Sequence, residues 1–476
     1  MDCWWPTVST HAAATWPDCA DTIPNWPGDS KNCARRELLD RPDTGHTAAP
    51  IDSAVHDQTG ARDSRHADHE LGRERVQVHI EWDRLVERIH AIDGFSRFLA
   101  APSITELTSQ AADGPIVFLS ADPTRCDALI LTGSATDPVR TVRLDTLTQD
   151  DALQRIGLLL AAQETAADDD QSPATRIAAQ QTVLDVLAWL WDTVAEPVLT
   201  ALGHIGSPAD GQSWPRVWWC PIGMMAYLPV HAAGHHRDLL ADDPAAVVRP
   251  RTVLDRVISS YTPTVRALGY ARSQPPAMAD AALIVAVPDA PGTRRLLGVS
   301  LEAGLIARLI PHARRLARPT RAEVLSALPT HLLAHFSCHG SVEWNDPASS
   351  RLLLYDHLDR PLTVSDINTL HLTGALAFLS ACETASTSPR LTDEAVHLTA
   401  AFLLAGYQNV VGTLWPVDDG AATRMTADFY GHLTNHGTTP PDTTACAHAL
   451  HHAVRSLRAE YPTTPTYWAA HIHAGT

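Results

Sequence analysis

Short apolar runs alternate with amphipathic stretches through the second half of the chain. Runs rich in Val, Leu, Ala and Phe are typical of buried parallel strands, and they occur at 282–287, 331–337, 351–355, 375–380 and 409–414. Helical spacing of apolar residues predicts helices at 296–309, 363–370, 392–404 and 419–433. A capping box formed by Thr320 and Glu323 predicts the start of a further helix. This alternation predicts an α/β fold, a mostly parallel central sheet flanked by helices.

The first half carries a weaker version of the same pattern. Strands are predicted at 115–120, 127–132 and 216–221, and helical patterns at 78–100, 149–163 and 174–204. Residues 1–75 contain few aliphatic side chains and are predicted to be a disordered leader. A linker rich in Pro, Ala and Ser at about 272–280 separates the predicted halves, 78–275 and 280–476.

Composition and charge narrow the class of protein. The hydrophobic content of 45% allows a large core, and the net charge of −18 argues against a nucleic-acid or anionic-membrane surface. Eight cysteines in 476 residues are too few for a disulfide scaffold. We find no secretory signal and no membrane-spanning apolar stretch. These features predict a cytoplasmic protein that binds neither nucleic acid nor membrane.

Two of the predicted strands end next to groups that can react. His339 follows the strand at 331–337, and Cys382 follows the strand at 375–380. Polar residues at the carboxyl ends of parallel strands build the sites of open α/β sheets. An imidazole that takes the thiol proton would make Cys382 a nucleophile. The N–H groups of Gly340 and Cys382 are candidate donors to an oxyanion.

Other roles for these residues stay open at this point. His339 and Cys382 could each be a structural core residue, and Cys338 competes as nucleophile because it adjoins His339 in sequence. Side chains alternate along a strand, so Cys338 is expected on the opposite face from His339, in the core. The same alternation weakens a metal site made by His335, Cys338, His339 and Cys382. We therefore expect no metal and no cofactor.

A third strand end carries acidic residues. The segment 414–419 ends in Asp418 and Asp419. A carboxylate there could select a basic residue just before the scissile bond, with Trp415 beside it as a further substrate-binding residue. Alternatively, Asp418 or Asp419 simply caps the helix that begins near Gly420.

These residues together resemble the CHAT domain, a bacterial relative of caspases and separases. The resemblance lies in five ordered motifs, at 336–340, 379–385, 400–406, 414–419 and 467–472, and it extends weakly upstream to about residue 90. It implies a caspase-like sandwich in which residues 78–275 form a degenerate, non-catalytic half packed against the active half. It also implies a cysteine endopeptidase with a His339/Cys382 dyad. Separases carry an acidic residue at the position that matches Asp419, where it binds a basic substrate side chain.

The resemblance also shapes the expected partners. The tetratricopeptide repeats that often accompany this domain are absent from the sequence, so a separate regulatory or sensor protein is expected besides the protein substrate. Regulated cleavage of one or a few proteins, in bacterial defence or programmed death, is the implied use. Two alternatives remain: a non-catalytic protein-interaction module on a caspase-like fold, and a small-molecule acyltransferase or amidase.

Overall fold

The computed structural model describes residues 77, 79–93, 100–209, 211–240, 249–275, 281–341, 343, 346–380 and 397–476. The chain divides into two compact units, residues 1–103 and residues 104–476. The described part of the first unit contains a helix at 79–90 that buries Trp82, Leu85 and Ile89. The helical spacing predicted at 78–100 is therefore confirmed for 79–90. The leader predicted at 1–75 lies outside the described residues.

The second unit is built around one large sheet. Its strands, with three short ones that form a second sheet, are β1 (Ile116–Ala121), β2 (Cys126–Leu131), β3 (Val139–Arg143), β4 (Arg216–Pro221), β5 (Ile258–Tyr261), β6 (Ala282–Ala286), β7 (Arg314–Arg315), β8 (Leu333–Ser337), β9 (Gly340–Ser341), β10 (Arg351–Leu352), β11 (Leu362–Thr363), β12 (Gly374–Ser380), β13 (Tyr407–Thr413) and β14 (His471–Gly475). The large sheet has the order β3-β2-β1-β4-β5-β14-β13-β12-β8-β6-β7, and the small one is β11-β10-β9. Seven neighbouring pairs in the large sheet are parallel and three are antiparallel. The predicted mostly parallel α/β fold is confirmed.

Helices cover both faces of this sheet. They are α1 (Ile104–Ser109), α2 (Gln149–Ala167), α3 (Pro173–Leu190), α4 (Glu196–Ala201), α5 (Val265–Ser273), α6 (Val299–Leu309), α7 (Arg321–Ala327), α8 (Val364–Asn368), α9 (His397–Ala405), α10 (Asp419–Leu433), α11 (Cys446–Glu460) and α12 (Pro465–Trp468), with a π-helical turn at Trp191–Ala195 between α3 and α4. Across the part of the chain that the structure describes, no helix combines the length and the apolar character needed to cross a membrane.

The last strand of the chain joins the two halves predicted from the sequence. β14 pairs with β13 on one side and with β5 on the other, so strands from before and after the predicted linker share one sheet. Residues 104–476 accordingly form one compact unit. The division at 275 and 280, and the degenerate character of the first half, stay predictions.

Four parallel strands end at one edge of the sheet, and the site residues follow them. β6, β8, β12 and β13 run parallel to one another. Because carboxyl ends of parallel strands meet at the same edge, the strand ends at Ala286, Ser337, Ser380 and Thr413 all lie there. The last residues of three of these strands lie side by side, since Ser337 pairs with both Ala286 and Ser380.

Alternation along β8 divides its side chains between two packing layers. Ala334 and Phe336 belong to a buried cluster with residues of α7, α8 and α9. His335 and Ser337 point to the opposite face, where their side chains contact Glu302 of α6. On that face α6 and α10 bury their apolar sides against the sheet. The central strands are thus enclosed on both sides, which explains their nearly continuous apolar sequences.

Local sequence signals set several helix boundaries. α7 begins at the predicted capping box, in which Thr320 and Glu323 each bind the other's backbone N–H. α9 ends at Ala405, and Gly406 follows with a φ of 117°. A Cβ at Gly406 would lie 1.9 Å from the carbonyl oxygen of Leu372, so only glycine fits there.

Neutral histidines are buried near β14 and in the elements that pack on it. Desolvation by burial lowers the pKa of His231, His236 and His451 to about 3 and that of His471 to about 4. His473 also has a lowered pKa for the same reason. None of these side chains belongs to the site described below.

Acid should therefore destabilise the fold well before most carboxylates are protonated. A histidine in the unfolded chain has a pKa near 6.5. Below that pH these histidines are protonated in the unfolded chain but stay neutral in the folded one. Each such group adds a loss of at most about 1.4 kcal/mol per pH unit, until its folded pKa is reached. Urea unfolding followed by Trp fluorescence should show a lower midpoint at pH 5.5 than at pH 7.5.

A single substitution checks the cause of this pH dependence. The two ring nitrogens of His471 have no hydrogen-bond partner among the described residues. His471→Leu should reduce the difference between the unfolding midpoints at the two pH values by the share of one histidine. The same change at exposed His312 should not alter this difference. Equal unfolding midpoints at both pH values in the wild type would contradict this assignment.

Candidate active site

His339 lies two residues beyond β8 and is only 4% exposed. Its Nε2 atom lies 2.7 Å from the carbonyl oxygen of Arg294. A carbonyl oxygen can only accept, so Nε2 must donate the proton in this hydrogen bond. In the neutral ring, Nδ1 is then the nitrogen that can accept a proton. The hydrogen bond thus sets both the tautomer and the orientation that a general base needs.

The loop that supplies this carbonyl is held from several sides. It connects β6 to α6 across residues 287–298. The hydroxyl of Tyr355 donates to Asp289, and His357 Nε2 donates to the carbonyl oxygen of Pro291 at 2.9 Å. These contacts hold the loop on the amino-terminal side of Arg294, so its carbonyl is a fixed partner for the imidazole.

Cys382 lies outside the described residues, as do all of residues 381–396. Its role as nucleophile and the oxyanion role of its N–H therefore stay predictions. The described chain before it ends at Ser380, the last residue of β12, which pairs with Ser337. Ser337 precedes His339 by two positions, as Ser380 precedes Cys382.

Gly340 begins the short strand β9 and directs its N–H away from β10. The N–H of Leu353 donates to the carbonyl oxygen of His339 at 2.8 Å. Hydrogen-bonded pairs alternate along an antiparallel ladder, and Gly340 pairs with Leu352. Gly340 therefore occupies a position whose N–H the ladder to β10 does not use. This orientation is compatible with the predicted oxyanion role.

Cys338 lies in the core, as strand alternation predicts. It is 1% exposed and belongs to the buried cluster that includes Ala334 and Phe336. His339 belongs to neither layer of the strand, since β8 ends at Ser337, and its ring binds the Arg294 carbonyl instead. Within the ranges that the structure describes, no three His, Cys, Asp or Glu side chains are grouped so as to hold a metal ion.

Asp418 and Asp419 follow β13 at the same edge and have different roles. Asp418 is the N-cap of α10 and accepts from the N–H groups of Gly420 and Ala421 at 2.9 and 3.1 Å. Asp419 Oδ2 accepts from Leu297 N at 2.7 Å and from Gly298 N at 3.4 Å. Asp419 therefore holds the loop that carries Arg294 from its carboxyl-terminal side.

Trp415 is part of the core. It is 2% exposed, and its indole N–H donates to the carbonyl oxygen of Thr466 at 3.0 Å. A side chain this enclosed offers substrate no open ring face. We therefore leave Trp415 out of the substrate pocket proposed below, and Asp418 as well because its carboxylate caps α10.

Comparisons with known proteins identify the family of the chain. The family model of the CHAT domain matches residues 184–476, which is more than half of the chain and includes His339, Cys382 and Asp419. The chain belongs to the CHAT domain family. No curated protein matches it.

Solved structures resemble the CHAT chain in fold. Two structures of the Saccharomyces cerevisiae separase–securin complex match with TM-scores of 0.52 and 0.53 and identities of 10% and 11%. The two alignments include 82% and 84% of this chain but only 32% and 33% of the separase chain. The CHAT chain therefore spans about a third of the chain that it matches. The fold is that of caspase-like cysteine peptidases.

A third match is weaker. A complex of the pro- and mature domains of Porphyromonas gingivalis RgpB covers 62% of this CHAT chain and 71% of its own, with 11% identity and a TM-score of 0.37. A score at this level supports no argument about the site.

The CHAT site contains two participants that the sequence alone did not identify. One is the backbone carbonyl of Arg294, which no side-chain motif can reveal. The other is Glu302, a 2% exposed carboxylate that binds Ser337 and Ser380. The sequence did contain a sign of this buried acid, because Glu302 interrupts an apolar stripe of α6. The buried side of that helix consists of Val299, Glu302, Ala303 and Ile306.

Proposed function

We propose that this CHAT-domain chain is a cysteine endopeptidase that cleaves specific proteins, with Cys382 as nucleophile and His339 as general base. The observation that carries the proposal is the hydrogen bond from His339 Nε2 to the Arg294 carbonyl. It leaves Nδ1 as the proton-accepting nitrogen at the edge where β8 and β12 end. Cys382 follows the second of these strands within two residues.

The proposed reaction proceeds through a thioester. His339 Nδ1 takes the thiol proton of Cys382, and the thiolate attacks the carbonyl carbon of the peptide bond. The N–H groups of Gly340 and Cys382 stabilise the oxyanion. Protonated His339 then gives its proton to the leaving amine, and the amide C–N bond breaks. Water, deprotonated by His339, hydrolyses the thioester and restores the thiol.

Asp419 is the proposed determinant of specificity for a basic residue before the scissile bond. Only Oδ2 of its carboxylate contacts the amides of Leu297 and Gly298, which leaves Oδ1 for a guanidinium or ammonium group. The carboxylate is half-buried at the edge where His339 lies. A charge-assisted hydrogen bond there would contribute about 1.5–3 kcal/mol to binding.

Asp419→Asn should distinguish the effect of the negative charge on substrate binding from the effect of the hydrogen bonds that support the loop. Asparagine can still accept from the amides of Leu297 and Gly298 through its side-chain oxygen, but it carries no charge. We expect kcat/KM to fall by about tenfold to a hundredfold for substrates with Arg or Lys before the scissile bond. For substrates with a neutral residue there, kcat/KM should change little.

Asp418→Asn is the matched control, because it removes the same charge one position away and asparagine is as good an N-cap as aspartate. It should leave both substrate classes unaffected. An equal loss on basic and neutral substrates in Asp419→Asn would mean that Asp419 only supports the loop.

A protein regulator is also part of the proposal. The separases in the matched structures are in complex with securin, and a separate protein that controls this site is proposed by analogy. A cytoplasmic location stays a prediction from the sequence. A role in bacterial defence rests on the sequence resemblance alone and stays a prediction.

Peptide-library profiling of the full chain, together with an acyloxymethyl-ketone probe, tests the proposed activity. A peptidase should cleave library peptides and be labelled by the probe. Labelling without cleavage of any peptide would favour the small-molecule acyltransferase or amidase. Absence of both, with and without candidate partner proteins, would favour the non-catalytic interaction module.

A further inference from the structure

Glu302 is a carboxylate at a core position next to the proposed site. It lies on the buried side of α6 and is 2% exposed. Removing a carboxylate from water is costly unless hydrogen bonds satisfy its oxygens. An apolar side chain at this position would pack without that cost, as Val299 and Ile306 do on the same side of the helix. A carboxylate at this buried position therefore requires hydrogen-bond donors that bind its oxygens.

Its partners are the last residues of two neighbouring strands. The Ser337 hydroxyl, at the end of β8, donates to Glu302 Oε2 at 2.7 Å. The Ser380 hydroxyl, at the end of β12, donates to Oε1 at 3.2 Å. The two serines are paired in the sheet, so one carboxylate connects both strand ends through its two oxygens.

A third group completes the arrangement. His335 Nε2 lies 3.3 Å from Glu302 Oε2, and His335 Nδ1 lies 3.3 Å from the Tyr430 hydroxyl of α10. When His335 donates from Nε2 to Glu302, its Nδ1 accepts a hydrogen bond from the Tyr430 hydroxyl. Hydrogen bonds then connect α10, β8, α6 and β12 in one buried network. All five side chains are buried, so water does not replace these bonds.

We propose that Glu302 is a positioning residue that fixes the distance between the ends of β8 and β12, the strands that His339 and Cys382 follow in the sequence. This inference rests on the proposed function. Ser337 and Ser380 each precede a member of the proposed dyad by two residues. At a strand end the ladder of backbone hydrogen bonds stops, so the side-chain bonds to Glu302 limit how far the two ends separate. A displacement of about 1 Å between reacting groups can cost about a hundredfold in rate.

Glu302→Gln is the decisive variant. Glutamine preserves the volume, but its amide nitrogen cannot accept a hydrogen bond, so Ser337 or Ser380 loses its acceptor. We expect kcat to fall by about tenfold to a hundredfold, with KM within about twofold, because substrate contacts are unchanged. Ser337→Ala and Ser380→Ala should each reproduce part of the loss.

Asp255→Asn is the matched control. Asp255 is another buried carboxylate, bound by Thr252 and Arg458 and remote in sequence from the dyad. It should lower the free energy of unfolding, as Glu302→Gln does, but leave kcat unchanged. An equal loss of kcat in both variants would show that Glu302 acts only through stability, and the proposal would fail.

Hydrogen exchange measured by mass spectrometry provides a readout that does not depend on activity. Glu302→Gln should accelerate exchange in peptides that cover 333–341 and 374–380 by about tenfold or more, whereas Asp255→Asn should not. Unchanged exchange in these peptides would overturn the inference even if kcat fell. If the wild type neither cleaves peptides nor reacts with the probe, the proposed function fails, and exchange still decides whether Glu302 positions the strand ends.

Discussion

Cys382→Ala is expected to abolish both labelling by an acyloxymethyl-ketone probe and cleavage of every peptide that the wild type cleaves. The probe needs a thiolate, and alanine has no group that can replace sulfur as the nucleophile. The expected loss is at least about 10³-fold in kcat/KM, since covalent catalysis cannot occur without the sulfur. Intact-mass spectrometry after probe treatment, together with the peptide library, measures both effects.

The remaining thiols supply controls for this experiment. Burial raises the pKa of Cys220 to about 12 and also raises that of Cys446, so neither should react with the probe in the folded protein. Cys338→Ala is the matched variant, because Cys338 adjoins His339 in sequence but lies in the core. It should be labelled like the wild type. Labelling that persists in Cys382→Ala and disappears in Cys338→Ala would reverse the assignment of the nucleophile.

His339→Gln is expected to lower kcat/KM by about 10²- to 10⁴-fold. The glutamine amide nitrogen can occupy the position of Nε2 and donate to the Arg294 carbonyl, so the loop keeps its partner. The side chain no longer has a nitrogen that can take the thiol proton. Peptide cleavage at saturating and at low substrate concentrations separates the effect on kcat from that on KM, and most of the loss should be in kcat.

His331→Gln serves as the control for this variant. His331 lies two residues before β8, at the end away from the site, and binds the carbonyl oxygen of Ala327. Its replacement should leave kcat/KM unchanged. If His339→Gln retained more than about a tenth of the wild-type kcat, His339 would not be the general base, and the hydrogen bond to Arg294 would have only a structural purpose.

The hydrophobic pattern predicted the elements of the second half well, for a simple physical reason. Strands enclosed on both faces must be apolar throughout, so β6, β8, β12 and β13 are visible as uninterrupted runs. α10 was predicted at 419–433 and occupies those residues. The predicted strand at 351–355 was too long, since β10 covers Arg351–Leu352. Its partners are two-residue strands, a tertiary feature that periodicity cannot show.

The prediction was weaker where function depends on contacts between distant segments. Asp419 could be identified as a polar residue at a strand end, but its bond to the amides of Leu297 and Gly298 joins positions more than 100 residues apart. Trp415 belongs to the same segment, and only the tertiary structure showed that it is buried and bonded to Thr466 of α12. A linear pattern does not distinguish a pocket residue from one that supports the pocket.

The sequence by itself determined the family and the fold class, and it predicts His339 and Cys382 as the reactive pair. It could do so because burial dictates side-chain polarity, and reactive groups interrupt that polarity at strand ends. Only the tertiary structure decided which nitrogen of the His339 ring donates, because the Arg294 carbonyl that binds Nε2 belongs to a loop 45 residues away. It also revealed that Glu302 binds both strand ends, a contact that exists only when α6 packs on the sheet.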